Sequence, residues 1–230
     1  MEGRRSFHQQ LEEVRDDIVR LAAMVTEAIP RGTQVLLESN LEGAHSLIDD
    51  DTDLDRLAVD IEDRCYHLLA LQQPMASDLR ALVCAIRLTS EIERSGDLMV
   101  NVAKGARRIY GMPIDPKVRG LIQAMSEEAR RLFGLAIDAY VDGDAGKAAA
   151  LRDMDDTLDD VHRDFIAQVL ESCRGGTLDI QAAVQLALIG RYYERIGDHA
   201  VNVGDRVCFL VTGEMPELEH VATEPAVDPD

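Results

Sequence analysis

Hydrophobic residues recur with the period of an α-helix over six long segments of this chain. Between residues 6 and 39 one face carries Leu11, Val14, Ile18 and Leu21, and Pro30 predicts an irregularity in that helix. The same spacing predicts helices over 41–72, 75–110, 117–141, 144–173 and 178–212. Prolines and glycines interrupt the pattern at 72–74, 111–116, 142–144 and 175–177. We therefore predict an all-α protein.

The two halves of the chain repeat each other. Residues 93–103 (ERSGDLMVNVA) and 194–204 (ERIGDHAVNVG) share seven of eleven letters, and the acidic pair 51/55 recurs 104 positions later as 155/159. Short connections make neighbouring helices antiparallel. We predict two tandem, pseudo-symmetric three-helix bundles, residues 1–112 and 113–213, joined at the GMPIDP stretch. The acidic, proline-containing tail over 214–230 is expected to be disordered.

Composition narrows the classes of function. The formal net charge of -19 argues against a direct nucleic-acid partner, because phosphate binding relies on clustered Lys and Arg. No stretch approaches 18 uncharged apolar residues, so we expect a cytoplasmic protein that reaches the membrane only through protein partners. The four cysteines lack C-x-x-C spacing and are expected to be buried thiols in a reducing compartment: Cys65, Cys84, Cys173 and Cys208.

Carboxylates interrupt the apolar face of the third helix in each half. In the first half, Glu93 and Asp97 follow Leu82 and Ile86 on one helical stripe. Packing this helix against the preceding one would gather four carboxylates, which suggests a shared metal ion in each half. The candidate ligands are Asp51, Asp55, Glu93 and Asp97 in the first half and Asp155, Asp159, Glu194 and Asp198 in the second. Oxygen-rich sites of this kind suit Mg, Mn, Fe or Ca, and Zn where a nitrogen joins.

Neighbouring residues bear on this hypothesis. Gly96 and Gly197 would allow a close approach to the backbone, and Asn101 and Asn202 would add carbonyl oxygens. The alternative is a metal-free helical scaffold, in which Arg94 and Arg195 neutralise the acids as ordinary salt bridges. Both hypotheses remain open from the residues alone.

The sequence shows no nucleophile motif or phosphate loop, so we predict that the protein is not an enzyme. Two E-x-x-H motifs, at 42–45 and 217–220, keep a ferritin-like metal-carboxylate oxidase as an alternative. Neither motif recurs in the other half, and we expect both to be accidental. His162 and His199 are expected to be ordinary helix residues, although His199 directly follows Asp198.

These features together resemble the PhoU family of phosphate-signalling regulators. The resemblance rests on LLALQQPMASDLRAL at 68–82, on the paired ERSGD and ERIGD motifs, and on the acidic pairs. It implies two pseudo-symmetric bundles with metal clusters, of Fe, Zn, Mn or Mg, held by the eight acids above. It also implies a negative regulator linking the ATPase subunit of the phosphate ABC transporter to a sensor histidine kinase. The apolar coverage of the third helix leaves room for a homodimer.

Overall fold

The structure is a computed structural model that describes residues 2–214. Six helices account for nearly all of this range, and no strand occurs within it. They are α1 (Glu2–Glu38), α2 (Leu41–Gln72), α3 (Ser77–Arg108), α4 (Pro116–Asp142), α5 (Ala145–Arg174) and α6 (Ile180–Thr212). The all-α prediction is confirmed. The tail expected to be disordered lies outside the described residues apart from Glu214.

Local chemistry explains most of the helix starts. The side chains of Asn40, Asp115, Asp144 and Asp179 each accept a hydrogen bond from a backbone amide in the first turn of the following helix. α1 continues through Pro30 without a break, although this residue has no backbone N–H to donate within the helix. Pro30 lies on the exposed side of the helix, while packing of the buried residues around it holds the helix together.

The helices pack as two interlocked three-helix units. The outer helices, α2 and α5, contact only the other two helices of their own repeat. The remaining four meet across the repeats, with α3 against α6 and α1 against α4, so the buried apolar residues form one continuous core. This arrangement is consistent with the two bundles predicted from the sequence. The boundary at residues 112 and 113 falls in the connection between α3 and α4 and stays a prediction.

Two arginines display the pseudo-symmetry directly. Arg15 of α1 donates to the carbonyl of Val141, and Arg119 of α4 donates to the carbonyl of Leu37 at 2.7 Å. Donor and acceptor are each displaced by 104 positions between the two pairs. The last carbonyls of a helix lack intrahelical partners and carry partial negative charge. Each arginine therefore caps the final turn of the other repeat's first helix, which holds α1 and α4 antiparallel.

A polar contact joins α3 to α6 at the centre of the molecule. Glu91 Oε2 accepts hydrogen bonds from His199 Nδ1 at 2.6 Å and from Asn202 Nδ2 at 3.2 Å. The corresponding positions after exchange of the repeats are Tyr192 and Leu98, so this contact has no symmetric copy. It therefore departs from the pseudo-symmetry and fixes the register of α3 against α6.

A second polar cluster lies in the core where α1, α4 and α6 meet. The hydroxyl of Thr33 lies 2.7 Å from that of Tyr193 and 2.6 Å from that of Ser126. Thr33 and Ser126 are nearly fully buried and Tyr193 fully so. Hydroxyls taken out of water need such partners. The cluster thus joins the first helices of the two repeats to the last helix.

Candidate metal sites

Two groups of acidic side chains lie along the grooves where α2 meets α3 and where α5 meets α6. We call Asp51, Asp55, Glu93 and Asp97 the first acid patch, and Asp155, Asp159, Glu194 and Asp198 the second acid patch. Within each pair the spacing of four residues places both carboxylates on one helix face.

Glycines allow the two helices of each groove to approach closely. A Cβ atom on Gly96 would lie 2.8 Å from Leu54 Cδ1. One on Gly197 would lie 2.3 Å from Asp155 Oδ1 and 2.7 Å from Leu158 Cδ2. A Cβ atom at either position would force these side chains of the facing helix to move, so the glycines allow the helices to pack as closely as they do. The close approach predicted from the sequence is confirmed.

The acids are less buried than their stripe positions predicted. Asp51, Glu93, Asp155 and Glu194 are partly buried, whereas Asp55, Asp97, Asp159 and Asp198 are exposed. Leu79, which the same helical spacing places on the predicted inward stripe of α3, is also exposed at 42%. The buried face of α3 is therefore narrower than the apolar stripe predicted from the sequence. Each patch accordingly has an inner pair of carboxylates and an outer, solvated pair.

Charges in the first acid patch repel one another. Burial, together with repulsion from Asp55 and Asp97, raises the pKa of Asp51 to about 6. Burial and repulsion from Asp97 and Asp55 likewise raise the pKa of Glu93. Among the described side chains, those of residues 7–214, no basic group comes within 4.0 Å of these four carboxylates. The patch therefore holds more negative charge than its surroundings offset.

An acid outside the second acid patch, which the sequence did not indicate, also acts on its charges. Burial, followed by repulsion from Asp159, Asp198, Asp156 and Glu128, raises the pKa of Asp155 to about 6. Glu128 comes from α4 and pairs with Arg131, whose Nε donates to it at 2.9 Å. Its place in the first repeat is taken by a methionine, so the duplication gave no signal for it.

Three buried polar atoms on α5 and α6 have no hydrogen-bond partner. They are Asp155 Oδ1, Glu194 Oε2 and His162 Nε2. Burial and the nearby Arg191 lower the pKa of His162, which favours the neutral imidazole. Unpaired buried oxygens and a neutral imidazole are groups that a cation would satisfy. His162, expected to be an ordinary helix residue, thus borders the second acid patch.

Arg191 is the basic partner of the second acid patch among the described side chains. Its guanidinium contacts Glu194 Oε1 and lies 3.9 Å from Asp198 Oδ2. Arg94 and Arg195, the neutralising residues predicted from the sequence, form no ion pair with the patches in the described chain. They directly follow Glu93 and Glu194, and adjacent residues on a helix point in different directions. Arg191 precedes Glu194 by three positions and Asp198 by seven, which places all three on one face.

Other candidate residues lie elsewhere. His199 and Asn202 bond Glu91 across the α3/α6 contact and are not directed at the patches. Glu42 and His45 are exposed at the start of α2, and the motif at 217–220 lies outside the described residues. The cysteines are free thiols; Cys65, Cys84 and Cys208 are buried as expected and Cys173 is half-buried. Burial raises the pKa of Cys65 and of Cys84 to about 11, which makes their thiols poor nucleophiles.

The residue types of the acid patches suit a metal ion, but their side chains do not converge on one point. As the side chains of residues 7–214 lie, no three His, Cys, Asp or Glu residues among them converge into a metal site. Carboxylate oxygens are nevertheless the ligands that hard cations prefer, and buried oxygens without partners lie in the second patch. Convergence would require rotation of the outer carboxylates, which are exposed and have room to turn.

No helix in the described part of the chain has a run of apolar residues long enough to cross a bilayer.

Comparison with known proteins finds one family that matches both repeats of this chain. The PhoU domain family matches residues 18–106 and 122–207, once in each repeat. The chain is 35% identical over 218 residues to the "Phosphate-specific transport system accessory protein PhoU homolog 1" of Mycobacterium tuberculosis, covering 94% of this chain and 98% of the relative. It is 37% identical over 214 residues to homolog 2 of the same organism, covering 93% of this chain and 100% of the relative.

Solved structures show the same architecture. The crystal structure of the phosphate transport system regulatory protein PhoU from Streptococcus pneumoniae matches with a TM-score of 0.83 at 25% identity, covering 91% of this chain and 98% of that one. PhoU from Pseudomonas aeruginosa matches with a TM-score of 0.84 at 24% identity, covering 90% of this chain and 100% of that one. The fold, the two domain matches and the relatives over nearly the whole chain agree, and the chain belongs to the PhoU family.

Proposed function

We propose that this protein is an accessory regulator of phosphate-specific transport. The observation that carries the proposal is its identity of 35% and 37%, over more than nine-tenths of the chain, to relatives named as accessory proteins of that system. In this role it acts as a negative regulator in the cytoplasm. It links the ATPase subunit of the transporter to a sensor histidine kinase and keeps phosphate-starvation genes off when phosphate is plentiful.

An adapter that works through protein contacts agrees with the features of the chain. The net charge of -19 disfavours direct control of genes through DNA. The described residues offer buried thiols and interhelical polar bonds, which stabilise a scaffold and do not activate a substrate. We therefore propose a non-enzymatic role at the inner face of the membrane, reached through partners. Homodimerisation stays a prediction, which sedimentation analysis of the purified protein would check.

We also propose that each acid patch binds divalent or trivalent metal ions. Asp51, Asp55, Glu93 and Asp97 would hold ions in the first repeat, with Asp155, Asp159, Glu194 and Asp198 in the second. A bound ion would supply the positive charge that the clustered carboxylates lack. Support comes from the raised pKa values of Asp51 and Asp155 and from the unpartnered buried oxygens of Asp155 and Glu194.

The regulatory proposal is tested in cells. A strain lacking this gene is expected to express phosphate-scavenging genes in high phosphate, and the wild-type gene should restore repression. A tagged protein isolated from membranes should retain the transporter ATPase and the kinase, in amounts that differ between high and low phosphate. Normal repression in the deletion strain, with no phosphate-dependent association, would count decisively against the adapter.

Metal binding is tested on protein purified without chelator. We expect elemental analysis to find bound metal, Glu93→Ala to remove the ions of the first acid patch, and Glu194→Ala to remove those of the second. Glu171→Ala, a loss of one exposed carboxylate near the end of α5, is the matched control and should leave the stoichiometry unchanged. Protein free of metal in every preparation would favour the metal-free scaffold.

A further inference from the structure

Among the described side chains that contact the acid patches, one basic residue has no counterpart in the other repeat. Position 191 in α6 is an arginine, and the corresponding position in α3, 101 residues earlier, is Ser90. The carboxylates themselves are matched between the repeats. Any difference in cation binding between the patches must therefore come from residues around them. Glu128 and Asp156 add negative charge near Asp155, and Lys104 adds positive charge near Asp51. Among the described side chains, Arg191 is the one that forms an ion pair with a candidate ligand.

Arg191 is held by the acids of the second patch. Its guanidinium contacts Glu194, whose side chain is only 13% exposed, and approaches Asp198 to 3.9 Å. The remaining buried oxygen of Glu194 has no partner, and neither has Asp155 Oδ1. Arg191 thus offsets part of the negative charge of the patch but leaves the buried oxygens Asp155 Oδ1 and Glu194 Oε2 without a hydrogen-bond partner.

The first patch has no such residue. Ser90 lines the groove between α2 and α3 together with Asp55 and Glu93, and its short side chain leaves that groove open. Two basic residues act on the first patch through their charge. Lys104 partly opposes the rise in the pKa of Asp51, and Arg94 partly opposes the rise in that of Glu93. Neither lies within ion-pair distance of the patch in the described structure.

We propose that Arg191 acts as a built-in cation that weakens metal binding at the second acid patch, so that the first acid patch is the tighter site for hard divalent ions. This inference rests on the proposed metal binding. An ion entering the second patch has to displace the guanidinium from Glu194 and then share the groove with its positive charge. An ion entering the first patch displaces no ion-paired residue, because Lys104 and Arg94 act on that patch only from beyond ion-pair distance.

The expected size of the difference follows from the strength of such ion pairs. Partly exposed pairs contribute up to about 1 kcal/mol, which corresponds to about fivefold in affinity. Repulsion between Arg191 and the ion adds to this, so we expect the second patch to bind about fivefold to tenfold more weakly. His162 would act in the opposite direction with metals that favour nitrogen, so the probe should be Mn²⁺, which prefers oxygen.

The test exchanges the two residues. Mn²⁺ binding to the full-length protein is measured from the electron paramagnetic resonance signal of the free ion, with Glu93→Ala and Glu194→Ala assigning each class of site to its repeat. Arg191→Ser gives the second patch the residue of the first, and Ser90→Arg does the reverse. Arg20→Ser, an equal loss of charge at an exposed position on α1, is the matched control. Circular dichroism confirms that each variant is folded.

We expect Arg191→Ser to raise the affinity of the second patch about fivefold, Ser90→Arg to lower that of the first patch by a similar factor, and Arg20→Ser to change neither. Equal affinities in the wild type, or an unchanged second patch in Arg191→Ser, would overturn the role of Arg191 while leaving metal binding intact. Absence of Mn²⁺ binding in the wild type and in Arg191→Ser would overturn the metal proposal itself.

Discussion

Glu91→Leu is expected to destabilise the protein by about 3 kcal/mol at neutral pH. The substitution removes the acceptor shared by His199 and Asn202 and leaves the imidazole of His199, which is 4% exposed, without a partner. Removal of one partner from a buried pair costs more than the pair is worth, because the other polar group stays buried. Urea unfolding monitored by circular dichroism would measure the loss.

The double variant Glu91→Leu/His199→Leu is the informative control. Tyr192 and Leu98 occupy the exchanged positions in the other repeat, so this contact can be built without a buried pair. We expect the double variant to recover at least about 1 kcal/mol relative to Glu91→Leu. Additive losses would show that the hydrogen bonds contribute little to the packing of α3 on α6.

The same pair predicts a pH dependence. Burial would raise the pKa of Glu91, but the hydrogen bonds from His199 and Asn202, aided by the charges of His199 and Arg94, hold it below its ordinary value of 4.5. A carboxyl with a lowered folded-state pKa stabilises the protein above its unfolded pKa, and this contribution is lost as the pH falls through the folded value. The difference in stability between wild type and Glu91→Leu should therefore be full at pH 7 and shrink below pH 4.5.

The helices and the internal repeat could be predicted from sequence because they depend on local signals. Asparagine or aspartate precedes α2, α4, α5 and α6, and glycine or proline separates the periodic segments. The close approach at Gly96 and Gly197 could also be predicted, since both lie in the repeated motif and face the preceding helix. Each of these inferences needs only the spacing of residues within a helix or between two identical motifs.

The contacts between repeats could not be predicted in this way. Glu91 lies two positions before the repeated motif and meets His199 and Asn202 only because α3 packs antiparallel against α6. Periodicity gives the face of a helix but not its partner. The ion pair between Arg191 and Glu194, by contrast, could have been predicted, because the two residues are three positions apart on one helix. The error was to pair Glu93 and Glu194 with the arginines that follow them, which helical geometry points elsewhere.

Gly204→Val is expected to lower the stability of the protein about as much as Glu91→Leu does. The valine side chain would disturb the packing of α6 against α5. A Cβ atom at this position would lie 2.8 Å from the carbonyl oxygen of Ala148 and 2.7 Å from Leu151 Cδ1. A side-chain methyl could rotate away, but the carbonyl belongs to the backbone of α5, so the whole helix would have to shift. Overpacking of this kind costs roughly 3 kcal/mol.

Gly134→Ala in α4 separates this clash from the intrinsic effect of losing a glycine. Gly134 is also inside a helix, yet a Cβ atom there would meet nothing within 4 Å. Alanine favours the helix over glycine by about 1 kcal/mol, so this variant should unfold at a higher urea concentration while Gly204→Val unfolds at a lower one.

Gly204→Val should also affect metal binding. Since α5 carries Asp155 and Asp159, displacement of α5 should weaken Mn²⁺ binding at the second acid patch and leave binding at the first acid patch unchanged. A Gly204→Val protein as stable as wild type would mean that α5 and α6 are packed less closely than described.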